Sequence, residues 1–120
     1  MADPEIQAKT FYKQVAAARV VWTIRDEAGI PVPESDDDIR AMPFWSSRSL
    51  AELIIRNVED YKDFHPIEIS WQDFRDKWVP GLIKDGLLAG INWSGSEASG
   101  FDMSPVDVVK NVETAIRNAI

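Results

Sequence analysis

The chain contains no cysteine and a single histidine. The first absence excludes thiol catalysis, thiolate zinc sites and disulfide scaffolds. The second leaves His65 as the one imidazole open to a metal or a catalytic triad. A metal there would draw on Asp63 and Glu68, yet Pro66 and strand alternation send neighbouring side chains in different directions. A Ser-His-Asp triad would also need His65, and the sequence has no Gly-x-Ser-x-Gly elbow.

Long apolar runs are missing too. None approaches the roughly 20 residues needed to cross a bilayer. Met1 to Arg19 carries Asp3, Glu5, Lys9 and Lys13 rather than the apolar core of a secretory signal. A cytoplasmic location without membrane association is expected. Basic residues are also scarce, 13 against 20 acidic ones, for a formal net charge of −7. That balance argues against nucleic acid, whose phosphates need clustered Lys and Arg. It fits a basic protein partner through complementary fields, although the same charge serves solubility alone.

Two loops resemble ligand motifs and then depart from them. Asp36 and Asp38 could open an EF-hand, but its sixth and twelfth positions hold Ala41 and Ser47 instead of Gly and Glu. Gly95 and Gly100 have phosphate-loop spacing, but Phe101 and Asp102 follow where Lys and Ser or Thr belong. No cofactor or metal is expected. Paired carboxylates abound, yet none sits in an apolar context that would raise a pKa for acid–base work.

What remains is an ordinary globular composition, 45% apolar and 28% charged over 120 residues, the size of a single domain spanning 1–120. Asp3 and Pro4 open a first helix with Ala8, Phe11, Tyr12, Val15 and Ala18 on its apolar stripe. The period changes to a strand at Val20–Arg25, and Ile30-Pro31-Val32-Pro33 is at most an edge strand, because its two prolines cannot donate to a ladder. Residues 39–45 read as a strand, followed by a helix with Ser46, Ser47 and Ser49 as possible caps, of which Ser49 with Glu52 would make a capping box. Ile67 and Ile69 mark a short strand. Ser70 and Asp73 cap a third helix carrying Trp71, Phe74, Trp78 and Leu82, with a kink or restart expected near Pro80. Gly86 ends it. A strand over 87–93, with Leu87, Ala89, Ile91 and Trp93 on one face, is followed by a return strand over 101–103. A last helix follows, its inward face formed by Val109, Val112, Ile116 and Ile120. The predicted class is α+β, a mixed or mainly antiparallel sheet of about five to six strands with about four helices.

Five tryptophans are many for this length. Trp22, Trp71 and Trp78 fall on stripes expected to be buried, whereas Trp45 and Trp93 lie at strand ends, where an aromatic can line a groove. Trp45 with Arg48 is the first candidate binding spot, because aromatics and arginines concentrate interface energy. Several segments together resemble the bacterial domain of unknown function 2750 family. They are Val21-Trp22 before an acidic turn, Pro43-Phe44-Trp45-Ser46 leading to a helix with Ala51, Trp78-Val79-Pro80-Gly81-Leu82, and Asp85-Gly86-Leu87-Leu88. The Trp-x-Pro-Gly-Leu segment is the most specific. The resemblance covers most of the chain after the first helix, while 34–38 and 94–100 depart from it. It implies a small stand-alone bacterial cytoplasmic domain, a deliberate kink at Pro80-Gly81, and no catalytic residues to carry over.

Three functions are then in view. The first is a non-enzymatic interaction domain with an acidic, partly aromatic surface, in an immunity or regulatory role. The second is a small-molecule binder with a pocket lined by Trp45, Trp78 or Trp93. The third is a carboxylate-dependent enzyme with two acids facing one cleft.

Overall fold

The computed structural model describes residues 4–32, 40–94 and 99–118. Helix α1 (Pro4–Ala18) starts at its proline and buries Ala8, Phe11, Val15 and Ala16; the expected cap Asp3 lies outside the described residues. Ala18 is exposed and Ala16 takes its place inside. The chain leaves α1 through Arg19, which adopts a left-handed φ of 61°. Its Nε donates to the Ala16 carbonyl at 2.8 Å, giving a helix-end acceptor a partner.

Strand β1 (Val20–Arg25) runs antiparallel to β3 (His65–Ser70). Strand β2 (Ala41–Phe44) runs parallel to β4 (Leu88–Ser94), which pairs antiparallel with β5 (Ser99–Met103). The fold is α+β and mixed, with five strands among the described residues in sheets of two and three. The segment at Ile30–Val32 forms no strand: Pro31 has no N–H to donate, and Gly29 closes only a tight bridge with Asp26.

A second proline explains why the sheet divides. Trp22 and Trp45 exchange main-chain hydrogen bonds of 2.8 and 2.7 Å, joining β1 to the end of β2. The next β2 residue facing β1 is Pro43, which cannot donate. Its carbonyl instead accepts the Thr23 hydroxyl at 2.8 Å, and the ladder stops after one rung. The spatial order is β3-β1-β2-β4-β5. Because the main chain of Trp22 faces Trp45, its partner Glu68 and the neighbouring Pro66 turn theirs outward along β3. Pro66 therefore blunts that edge against further pairing.

Helices cover both faces, so strand burial does not alternate cleanly. On one face α1 and α4 (Pro105–Asn118) pack with Val21, Phe44, Ala89 and Ile91. In α4 the fully buried positions are Val108 and Val112, with Val109 and Ile116 partly covered; Ile120 lies outside the described residues. On the other face α2 (Arg48–Asn57) buries Ala51 and Ile54 with Ile24, Trp45 and Trp93. Of the three candidate caps, Ser46, Ser47 and Ser49, the cap of α2 is Ser47, whose Oγ accepts the Leu50 N–H at 3.2 Å. Ser47 has the extended backbone a cap needs, so Glu52 falls too far along for a box and pairs with Arg48 instead.

Strand β4 departs most from its predicted alternation. Ile91 lies opposite Phe101 and Ser94 opposite Ser99, three steps on β4 against two on β5. The extra residue is a bulge, and Asn92 takes it up with a φ of 47°. Beyond it the alternation inverts, which places Trp93 on the α2 face rather than with Ala89 and Ile91.

Candidate functional site

The third helix, α3, spans 71–84 and is continuous but not uniform. Ser70 caps it, its Oγ accepting the Asp73 N–H at 3.1 Å. Over Phe74–Trp78 the helix widens to a π-turn, and the Val79 N–H reaches back to the Phe74 carbonyl. It narrows again over Val79–Lys84. The widening accommodates Pro80, whose ring would otherwise press on the carbonyl four residues back. Regular α-helix resumes at Val79, within the 79–81 span where a kink or restart is expected, and the widened turn itself lies just before Pro80.

The end of α3 is equally determined. Gly86 adopts a φ of 69°, its N–H bonds to the Ile83 carbonyl at 3.1 Å, and the Leu87 N–H bonds to Leu82 at 2.9 Å. This is a Schellman closure, and it turns Leu87 back over Leu82. Trp78 is half-buried, its ring edge-on to Phe44 at 6.1 Å, and Phe44 in turn meets Phe74 at 4.9 Å. Together these features shape a surface groove of about 270 Å³. It is lined by Met42, Trp78, Gly81, Leu82 and Leu87, with Lys77 and Asp85 as its charged residues, both exposed.

The other sequence candidates are placed differently. Trp45 is fully buried, its indole N–H donating to the Trp93 carbonyl at 2.9 Å. It offers no ring face to a ligand, so the Trp45–Arg48 surface spot does not form. Arg48 instead holds its guanidinium 5.9 Å from the Trp22 ring and pairs with Glu52 at 2.7 Å. Trp93 lies flat on Gly90, where any Cβ would overlap the indole, and its N–H donates to Asp102 at 2.8 Å. Burial pushes the Asp102 carboxyl above its ordinary value, partly offset by that hydrogen bond. Of Trp45, Trp78 and Trp93, only Trp78 lines the groove. Arg48, on α2, covers the opposite face of the sheet from Trp78.

Sequence reasoning missed a polar cluster at the ends of β2 and β4. The Asn92 amide accepts the Ser46 N–H at 2.9 Å and donates to Ser46 Oγ at 3.0 Å. Ser46 Oγ also donates to Gln14, and Gln7 bonds the Asn92 carbonyl at 2.9 Å and Ser94 Oγ at 2.8 Å. The cluster ties α1 to both strand ends. Ser46 is buried with its hydroxyl committed in both directions, which makes it a fastening rather than a nucleophile. The only sequence signal was an asparagine inside an apolar strand. A second, wider groove of about 660 Å³ separates α1 from α4, where the Tyr12 hydroxyl accepts from Asn111 and donates to the Met103 sulfur, both at 3.1 Å. Burial raises the Tyr12 pKa.

The comparison with known families decides the relationship. A family model described as protein of unknown function (DUF2750) matches residues 8–112. The chain belongs to the DUF2750 family. The segments that carried the resemblance, from Trp78 to Leu82 and from Asp85 to Leu88, supply most of the groove's lining in this DUF2750 member. Among solved structures it is similar to "Anabaena Tic22 (protein transport)", at 16% identity and a TM-score of 0.39, covering 74% of this chain. The chain spans 45% of the length of that protein. The search of curated proteins returns no match. Among the described residues no helix is long and apolar enough to cross a membrane.

Proposed function

We propose that this chain is a non-enzymatic protein-interaction domain of the bacterial cytoplasm that docks a protein partner over the Trp78 groove. The groove carries the reading. Its lining combines apolar side chains, a half-exposed tryptophan and two exposed charged residues, the composition expected of an anchor site at an interface. Its volume, about 270 Å³, falls below the roughly 300–1,000 Å³ of clefts that enclose small ligands. One large side chain of a partner suits it better than a metabolite. A net charge of −7 favours a basic partner through steering. An immunity or regulatory role matches the size and charge by analogy with other small acidic domains.

Placing a photo-crosslinking residue at Lys77 in the groove lining, or at Lys110 on α4 as a control, tests this in cells of the native host. A discrete protein adduct from position 77 and none from position 110 is the expected result. No adduct, or the same adducts from both positions, would overturn it.

A further inference from the structure

Each structured glycine near the groove has a reason inside the fold, with one exception. Gly86 needs its left-handed backbone, and Gly90 lies under Trp93. Gly81 needs neither. It sits inside α3 without a left-handed φ, and among the described residues a Cβ built on it meets nothing within 4 Å beyond its chain neighbours and the local helix backbone. A glycine within a helix is less favourable than almost any other residue, because its backbone loses more freedom on folding. Among the described residues nothing recovers that loss. What the missing side chain does provide is access to the helix backbone from the groove, beside Trp78 and Leu82.

We propose that Gly81 is the close-approach point for a partner segment carrying one large apolar side chain next to a lysine or arginine. This rests on the interaction-domain reading and specifies its occupant. The apolar side chain seats against Trp78, Leu82 and Leu87. The basic neighbour is set by the two charged lining residues. Lys77 at one end already faces Asp73 at 3.6 Å. Asp85, about 12 Å further along the helix, has no side-chain partner among the described residues. It also stands at the helix C-terminus, where the backbone dipole adds negative potential. A second copy of this chain is a poor occupant, since it would bring another net charge of −7.

Synthetic nonapeptides with a central Leu, Phe or Trp, flanked by Lys/Arg, by Asp/Glu or by Ser, test the proposal when titrated into the ¹⁵N-labelled full chain. The basic-flanked set is expected to bind with amide shifts centred on Gly81, Asp85 and Leu87. Gly81→Gln should weaken it about tenfold or more while keeping the dispersed spectrum of a folded chain. Asp85→Asn should abolish the preference for basic flanks. The proposal is overturned if no set binds, if flank charge is irrelevant, if the shifts map to the α1–α4 groove, or if Gly81→Gln binds as well as the native chain. The two readings separate cleanly. A protein crosslinked equally by native and Gly81→Gln chains keeps the interaction domain and removes this occupant; no crosslinked protein removes both.

Discussion

At the scale of single residues, the tryptophans divide by what their ring faces meet. Trp45 is enclosed and hydrogen-bonded, so Trp45→Ala should cost roughly 3–5 kcal/mol, as large aromatic truncations in cores do. Urea unfolding reads that directly. Arg48→Ala should change stability by less than about 1 kcal/mol, since its ion pair is 65% and 43% exposed on the two sides. Asp102 gives a pH dependence with a definite sign. Burial raises its folded pKa above the unfolded one, so protonation favours the native state. The stabilisation appears as pH falls through the folded pKa and is absent well above it. Asp102→Asn keeps an acceptor for the Trp93 N–H and removes the charge. Its stability should therefore exceed the native chain's at neutral pH, with the difference shrinking toward acid. An unchanging difference across the pH range would show that the charge is not the cause.

At the scale of elements, the strands and helices were legible wherever local pattern and packing agreed. The α1 stripe, the Ser70 cap and the Gly86 stop each rest on contacts within a few residues, and each was readable. What local pattern could not show was the effect of a neighbour distant in sequence. Pro43 reads as an ordinary strand proline, yet it halts the β1–β2 ladder because of where Thr23 and Trp45 lie. The bulge at Asn92 is set by Ser46 and by the α1 glutamines, and it moved Trp93 to the other face. Trp45 looked like a surface aromatic because nothing in its own segment reveals that α2 closes over it. The groove was legible only in part. The family segment and Trp78 pointed to it, whereas Met42 reaches it from another element. Gly81 inside α3 and Gly86 just past its end should behave oppositely. Gly86→Ala forces a Cβ into a left-handed conformation and should cost about 1–2 kcal/mol, measurable as a lowered urea midpoint with an unchanged slope.

At the scale of the whole molecule, helices pack on both faces of the sheets, and the Trp78 groove is among the places where apolar side chains stay open to solvent. The net charge adds a long-range component to whatever docks there. Association with a basic partner should therefore slow as ionic strength rises from low to physiological, with dissociation changing much less. Stopped-flow tryptophan fluorescence with a binding peptide separates the two rates. The occupant proposed for the groove requires above all that the fold itself has no need of Gly81. Thermal unfolding of Gly81→Gln tests it without any partner. Relief of the glycine penalty in a helix, about 0.5–1 kcal/mol, should raise the melting temperature by roughly 2–5 °C. A fall in melting temperature would place the reason for Gly81 inside the chain and contradict the claim.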